Sequence, residues 1–328
     1  MLIAFIQRAV VQGIPLLFGS VGEILTEKSG NLNLGIPGIM YVGGICGVIG
    51  AFLYERSLPS PEMIVPFLAV IIPLLCTLIG SLLMGLLYSF LTVTLRANQN
   101  VTGLALTTFG VGVGNFFGGS LIKLVESDMP SIALSQTSSC FCQKLPFADK
   151  LGWFGDIFLS YSFLAYLAII IAVICSFVLK RTRLGLNLRA VGESPTTADA
   201  AGINVNRYKY TATGVGSMIA GLGGLYYVMD YACGVWSNDG FGDRGWLAIA
   251  LVIFAIWKPN TSIIGSILFG GLFIVHNYIS GLGVADQELF KMAPYLVTII
   301  VLVMVSMRKK RENQPPAHLG QSYFREER

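Results

Sequence analysis

The chain has 328 residues, of which 54% are hydrophobic and only 12% are charged, with a formal net charge of +4. Soluble domains carry about 25% charged residues, because their surfaces need that charge. The composition therefore excludes an ordinary soluble domain and predicts an all-α polytopic membrane protein that folds across a lipid bilayer.

Long apolar runs follow one another along most of the chain. A helix that crosses a bilayer needs roughly 20 apolar residues. By this measure residues 1–307 form one transmembrane domain with about nine transmembrane helices. The predicted spans are 9–25, 32–54, 64–95, 101–122, 157–179, 210–229, 245–257, 262–281 and 290–307. The third is long enough for Gly80 to divide it, and the seventh is short for a complete span.

The basic residues predict the orientation of these spans, since Lys and Arg cluster on the cytoplasmic side of membranes. If 180–209 is cytoplasmic and 245–257 counts as a span, most basic residues share that side. They are Lys28, Arg96, Lys180, Arg181, Arg183, Arg189, Arg207, Lys209, Lys258 and the run from Arg308 to Arg311. The long loop at about 123–156 is then external, and residues 308–328 form a cytoplasmic polar tail. The composition of this tail predicts disorder.

Residues 23–40 form a polar, Gly-rich turn that leads directly into a span. Glu23 is expected to reach interfacial water at the cytoplasmic end of the first span. Asn31 and Asn33 begin the second span, and amides are costly in hydrocarbon unless they are bonded. We predict that Asn31, Asn33 and Asn115 contribute to a substrate path. Capping by Asn31 and helix packing by Asn115 are the structural alternatives.

Gly110, Gly114 and Gly118 recur every four residues in the fourth span. This small-xxx-small spacing lets helix backbones approach closely in lipid, so the pattern predicts packing rather than phosphate binding. The sequence has no Walker A motif, metal cluster or nucleophile–base set. We therefore expect no cofactor and no catalytic residue in this chain, and no nucleic acid among its partners.

The largest cytoplasmic loop, about 180–209, contains the signals of a short helix. Ser194 suits the N-cap, Pro195 the first helical position and Gly202 the position after the helix. So short a helix is marginal in water and needs a docking surface. We expect Ala198, Ala201 and Ile203 to form its apolar face.

Four stretches carry a family resemblance: TEKSGNLNLGIPGIM at 26–40, LRANQNVTGLALTTFGVG at 95–112, the segment 181–210 and GWLAIALVIFAIWKP at 245–259. The first resembles the ERxGxLNxGxEGxM stretch of bacterial ABC importer permeases of the branched-chain amino acid and ribose type. The resemblance is strongest to permeases for purine nucleosides or simple sugars. Pro37 stands where the nucleoside-type permeases usually carry Glu.

The resemblance implies the permease fold of these importers and a coupling loop at 193–206 that docks on an ATPase subunit. Its implied coupling residues are Glu193, Ser194, Pro195, Ala198, Asp199, Ala200, Ala201 and Gly202. The implied partners are cytoplasmic ATPase subunits, a second permease subunit, homologous or identical, and an external substrate-binding lipoprotein. The implied location is the bacterial cytoplasmic membrane, and the implied substrate is a nucleoside, with a simple sugar second.

Two other functional classes stay open on the residues alone. A self-sufficient secondary carrier or channel would need no ATPase and would conduct by itself. The near absence of mid-membrane charged residues argues against a proton-driven carrier, which usually needs them. A membrane scaffold is supported only by the missing catalytic residues.

Overall fold

Long apolar helices make up most of the chain, and a computed structural model describes residues 2–60, 63–125, 131–143, 152–279, 283–308 and 314–324. The helices are α1 (Leu2–Lys28), α2 (Ile36–Ser57), α3 (Pro66–Ser89), α4 (Gln99–Val125), α5 (Ser135–Phe141), α6 (Gly152–Phe158), α7 (Phe163–Arg181), α8 (Arg183–Glu193), α9 (Pro195–Ala200), α10 (Val205–Tyr226), α11 (Arg244–Phe254), α12 (Pro259–Ile274), α13 (Val284–Lys291) and α14 (Ala293–Arg308). The strands are β1 (Ser131–Ala133) and β2 (Val235–Ser237). The prediction of an all-α membrane protein is confirmed, and the two three-residue strands are an addition to it.

Within the described residues, eight helices are long and apolar enough to cross a membrane. They correspond to eight of the nine predicted spans. The remaining prediction, the seventh span at 245–257, falls on α11, whose 11 residues are too short to cross the hydrocarbon alone. α11 ends in a tight turn in which Ile256 and Trp257 both have positive φ. The predicted count of about nine is therefore close to the observed one.

The third predicted span is a single continuous helix. α3 passes directly into a π-helical turn at Phe90–Thr94, so that one element runs from Pro66 to Thr94. Gly80 does not divide it. The glycine instead lets α3 approach α2, since a Cβ at this position would lie only 2.3 Å from the sulfur of Cys46.

α1, α2 and α10 form the centre of the bundle. In the most apolar windows of α2 and α10, 78% and 83% of the residues are buried, against 33% for both α3 and α12. Gly22 of α1 and Gly216 of α10 lie at the crossing of their helices, where a Cβ on either would approach the other's carbonyl oxygen within 2.4 Å. Small residues thus allow the central backbones to touch, as the glycine pattern predicted for α4.

The predicted packing role of the α4 glycines is confirmed. A Cβ on Gly110 would lie 2.5 Å from the carbonyl oxygen of Gly38 in α2, and one on Gly114 would lie 2.2 Å from the ring of Tyr41. By contrast, a Cβ on Gly112 would meet nothing within 4 Å. One face of α4 therefore packs on α2, and the adjoining face is open within the subunit.

We expect Gly110→Ala to lower the melting temperature of the detergent-solubilised chain, because its methyl group would press on the Gly38 backbone. Overpacking of this kind costs about 1–3 kcal/mol. Gly112→Ala is the matched control on the same helix. Since Ala has a helix propensity up to about 1 kcal/mol better than Gly, this control should be neutral or stabilising. Equal melting temperatures for the two variants would contradict the packing.

The two strands form an antiparallel ribbon that joins the predicted external loop to the segment before α11. Ile132 pairs with Trp236, and Trp236 is almost completely buried. α5 in the same loop is fixed to the end of α2, where Glu55 accepts hydrogen bonds from the backbone N–H and the hydroxyl of Thr137. The described part of this external loop is thus attached to the bundle.

Candidate functional site

The short helix predicted in the cytoplasmic loop is present, with the predicted ends. Ser194 is the N-cap, and its hydroxyl oxygen accepts the backbone N–H of Thr197 at 3.4 Å. Pro195 occupies the first helical position. Gly202 has φ +81°, which suits the position after a helix, and the N–H of Ile203 donates to the carbonyl of Ala198 at 3.0 Å. Local sequence signals thus determine both ends of α9.

α9 is stabilised within the subunit. Ala198 is 3% exposed and packs with Val191 of α8 and Val205 of α10. Ala198, predicted for the apolar face of this helix, faces inward, and its methyl group fills the joint between α8, α9 and α10. Ala201 is exposed, in contrast to Ala198. The exposed surface of this turn consists of Glu193, Thr196, Thr197, Ala200, Ala201 and Gly202.

The C-terminal tail is ordered over residues 314–324, so the prediction of disorder is wrong for this part of it. The N–H of His318 donates to the carbonyl of Gly192 at 3.0 Å, and the N–H of Gly320 donates to that of Gly30 at 3.2 Å. The hydroxyl of Tyr323 donates to Asp199 of α9 at 2.9 Å. Burial, together with the nearby charge of Lys209, lowers the pKa of His318. The tail therefore connects α9 with the turn after α1.

That turn, residues 29–35, is buried and held by side chains from several helices. The hydroxyl of Tyr88 donates to the carbonyl of Leu32 at 2.5 Å, and the Gln99 carbonyl oxygen accepts the N–H of Leu32 at 2.7 Å. Thr107 donates to the carbonyl of Leu34 at 2.8 Å. These bonds satisfy backbone groups that lie away from water, so that the turn can exist inside the bundle.

Asn31 and Asn33 lie in this turn and are both fully buried. The Asn31 amide donates to the Thr213 hydroxyl at 3.2 Å, and the Asn33 side-chain oxygen accepts the N–H of Gly35 at 2.9 Å. Their partners are within the subunit, whereas Asn115 lies elsewhere on α4. The structure thus brings two of the three predicted path residues together and separates the third from them.

The expectation that Glu23 reaches interfacial water is wrong. Glu23 is 1% exposed and Glu27 is 3% exposed, because the turn at 29–35 folds back against the end of α1. The carboxylate of Glu23 accepts the backbone N–H of Asn33 at 2.9 Å, and Glu27 accepts the indole N–H of Trp257. Two carboxyl groups therefore support the turn from inside the protein.

Asn115, the third predicted path residue, connects α4 with α2 and with the turn before α11. Its side-chain oxygen accepts the hydroxyl of Tyr41 at 2.7 Å, and its amide donates to the carboxylate of Asp239 at 3.0 Å. The Tyr41 ring lies beside Trp236 and Phe241, with centroids 5.2 and 4.9 Å away. An amide, a carboxylate and aromatic rings are groups that can bond and stack a polar ring-shaped solute.

Tyr41 and Asp239 are members of this group that the sequence did not indicate. Asp239 has φ +56° in the turn between β2 and α11, and its backbone N–H donates to the Tyr41 hydroxyl at 2.6 Å. The two residues are 198 positions apart in the chain. The feature that marks Asp239 is its positive φ in a polar turn next to a span, which is unusual for a non-glycine residue. This feature is visible in the structure and not in the sequence.

Arg244 is a third residue of this region that the sequence did not indicate. It begins α11, is 8% exposed, and lies 4.7 Å from the Tyr227 ring centroid and 4.9 Å from that of Tyr231. Its guanidinium donates to the carbonyl of Phe241 at 2.9 Å. Aromatic faces and a carbonyl thus stabilise a buried cation next to the Tyr41–Asn115–Asp239 group.

Comparison with known proteins identifies relatives along nearly the whole chain. The family described as branched-chain amino acid transport system, permease component, matches residues 5–302. The nucleoside ABC transporter permease protein NupC of Lactococcus lactis subsp. cremoris (strain MG1363) is 30% identical, with 91% of each chain covered. TsgC13 of Haloferax volcanii, provisionally named a glucose ABC transporter permease protein, is 28% identical over 98% of this chain and 97% of its own. The guanosine ABC transporter permease protein NupQ of Bacillus subtilis (strain 168) is 27% identical over 90% of each chain.

Permeases of this kind are transport subunits rather than enzymes, and ATP is hydrolysed by a separate subunit. They are multi-pass proteins of the cytoplasmic membrane that work with an ATPase and a substrate-binding partner. The resemblance seen in the sequence is confirmed. The chain belongs to the family of permease components of branched-chain amino acid transport systems.

Proposed function

We propose that this subunit is one half of the permease pair of an ABC importer and moves nucleosides inward by alternating access. The observation that carries the proposal is the capped helix α9, which packs on α8 and α10 and exposes Thr196, Thr197 and Ala201. In a permease of an ABC importer, ATP is hydrolysed by a separate subunit, so the energy reaches the permease through contact with that subunit. α9 is a preformed surface for that contact.

The proposed mechanism links α9 to the transport path through the bundle. Closure of the ATPases would move α9, and α9 is bonded through Asp199 to the tail and through the tail to the turn at 29–35. That turn leads into α2, and α2 carries Tyr41 of the Tyr41–Asn115–Asp239 group. A displacement of α9 can therefore reach the Tyr41–Asn115–Asp239 group along contacts within this subunit.

The substrate path is proposed along the open face of α4. Thr108, Gly112 and Asn115 recur at helical spacing, and each is at least partly exposed. Polar and small residues at membrane depth favour a cavity or a partner subunit over lipid. We assign this face to the cavity between two permease subunits. Asn31 and Asn33 would not contact the substrate. They would influence the path indirectly, because their turn supports the start of α2.

The partners implied by this function complete the importer. We propose two copies of a cytoplasmic ATPase, or one double-length chain, together with an external substrate-binding lipoprotein. A second permease subunit, identical or homologous, would provide the other wall of the cavity.

A nucleoside is the proposed substrate because two of the relatives, NupC and NupQ, are named for nucleoside or guanosine transport. The aromatic rings and amide around Asn115 fit the stacking and hydrogen bonding of a neutral nucleoside. A simple sugar is the second candidate, favoured by the name of TsgC13.

Competition of labelled adenosine uptake tests the substrate class in cells that express the complete importer. We expect excess unlabelled nucleosides to inhibit uptake strongly, and excess ribose or glucose to have no effect. The matched control is a strain that lacks only this permease, which should show the background uptake. Inhibition by a sugar and by no nucleoside would contradict the nucleoside assignment and favour the second candidate.

A further inference from the structure

A cavity of about 310 Å³ lies where three membrane-spanning helices reach the same end of the bundle. Lys28 ends α1, Lys180 lies in the last turn of α7, and Pro259 begins α12, and all three residues line the cavity. This end also carries α8 and α9, so it is the end assigned to the cytoplasm. The cavity adjoins the α9 surface at Glu193, which belongs to both, and none of the path residues of α4 lines it.

The charge of the cavity wall is predominantly positive. Lys28, Lys180, Arg189 and Lys258 line it, together with a single carboxylate, Glu193. Lys28 interacts electrostatically with the other basic groups at Arg189 and Lys258 and with Glu193. Lys180 and Arg189 are exposed, whereas Lys28 and Lys258 are half-buried. Cations from four different elements thus converge on one space, which favours an anionic occupant.

The first turn of α12 adds to this preference. Lys258 is the N-cap of α12, and no side chain caps the helix end. Pro259 has no N–H and the N–H of Thr261 donates to the carbonyl of Lys258 at 3.0 Å, so the contribution of this turn is the positive end of the helix dipole, which favours an anion. Together with the four cationic side chains, this turn provides a setting suited to a phosphate group.

The depth of the cavity distinguishes a lipid from a soluble ligand. Ser176 and Leu179 also line it, so the wall continues about one helical turn along α7 into the membrane. Trp257 lies in the wall as well, and tryptophan is enriched at the membrane–water interface. Phe177, on the same face of α7 as Lys180, is 61% exposed and is available to acyl chains.

We propose that this cavity binds the phosphate headgroup of an anionic phospholipid of the cytoplasmic leaflet, with the acyl chains lying along α7. Lys180 and Arg189 contact the phosphate from the rim, and Lys28 and Lys258 contact it from the floor. The bound lipid would connect α1, α7, α8 and α12 next to the loop that carries α9. Basic pockets between transmembrane helices on the cytoplasmic side are suited to such headgroups.

The test titrates dioctanoyl-phosphatidylglycerol into the full-length chain in detergent and follows binding by native mass spectrometry, with dioctanoyl-phosphatidylcholine as the reference lipid. We expect one saturable site for phosphatidylglycerol. Lys180→Gln and Arg189→Gln should each raise the Kd about fivefold, which is the typical effect of removing one Lys or Arg from the neighbourhood of an anionic lipid. The double variant should raise it about 25-fold if the two charges act independently.

Arg181→Gln and Arg183→Gln are the matched controls, because these exposed residues end α7 and begin α8 without lining the cavity. They remove the same charge and should leave the Kd within about twofold of the unchanged chain. Unchanged gel-filtration profiles and circular dichroism for all five variants establish that the fold is retained.

Two further arms separate the lipid from other anions and from protein. Failure of millimolar inorganic phosphate to displace phosphatidylglycerol supports a lipid site, whereas complete displacement would show a free-anion site and contradict the proposal. Retention of the lipid when the ATPase subunit is added also supports it. Loss of the lipid on ATPase addition, with weaker ATPase association of the double variant, would assign the cavity to a protein interface instead. Equal Kd values for the two lipids would likewise overturn the proposal.

Discussion

Replacing Ala201 with Glu is expected to abolish ATP-driven uptake while the chain still reaches the membrane at its normal level. Ala201 is exposed at the end of α9 and contributes nothing to the buried cluster formed by Val191, Ala198 and Val205. A carboxylate buried at the ATPase contact would cost about 3 kcal/mol, which weakens association roughly 100-fold. Pull-down of the ATPase with the permease, followed by uptake, measures the effect.

The control at the same position is Ala201→Ser, which changes the size of the side chain little and adds no charge. It should retain ATPase association and uptake.

A second pair tests the backbone at Gly202, where φ is +81° and a Cβ would meet nothing within 4 Å. Gly202→Val should uncouple the complex because a β-branched residue resists this conformation, whereas Gly202→Asn should be tolerated. Full ATP-driven uptake by both Ala201→Glu and Gly202→Val would show that α9 is an ordinary connector.

Asn33→Leu is expected to lower uptake severely without removing the protein from the membrane. The Asn33 side chain accepts the N–H of Gly35 within a fully buried turn, and Leu would leave that N–H without a partner. An unsatisfied buried donor costs about 1–3 kcal/mol, enough to displace the turn that begins α2. The measurement is the initial uptake rate at several substrate concentrations, normalised to the amount of permease in the membrane.

Asn33→Ser is the matched control, because a Ser hydroxyl can also accept an N–H two residues further along. It should retain most of the uptake. If Asn33→Leu transports with unchanged KM and maximal rate, Asn33 has no role in the path or in its support. If Ser and Leu lower uptake equally, the bond to Gly35 is not the reason.

The parts of this structure that the sequence predicts well are those determined by neighbours in the chain. Ser194, Pro195 and Gly202 define α9 through contacts within a few residues, and such caps can be recognised without a fold. The spans could be predicted similarly, because bilayer thickness sets their length. The α4 glycines could be interpreted because their spacing is a helical repeat.

The parts that the sequence does not predict depend on distant partners. The polar composition of the tail indicates disorder, yet its backbone bonds to Gly30 and Gly192 and its Tyr323 bonds to Asp199. The same holds for Ala198, whose inward packing depends on Val191 and Val205 of neighbouring helices. In each case, residues that lie far away in the chain determine the surroundings of the segment.

The Tyr41–Asn115–Asp239 group could not be predicted from the sequence for the same reason. Asn115 could be selected from the sequence as a polar residue within a span, but its partners Tyr41 and Asp239 are 74 and 124 positions away. The position of Glu23 near the cytoplasmic end of the first span predicts contact with interfacial water. The turn at 29–35 then covers the carboxylate, which no periodicity in α1 indicates.

Transport by reconstituted proteoliposomes tests the central claim, that this chain is a permease subunit driven through contact with an ATPase. The chain is reconstituted alone, with its ATPase, and with the ATPase, the second permease subunit and the binding protein, and labelled nucleoside is then followed with and without ATP. We predict uptake only in the complete assembly with ATP, and none when the ATPase is omitted. Uptake by the chain alone, down a substrate or ion gradient and independent of ATP, would contradict the account and identify a self-sufficient carrier or channel.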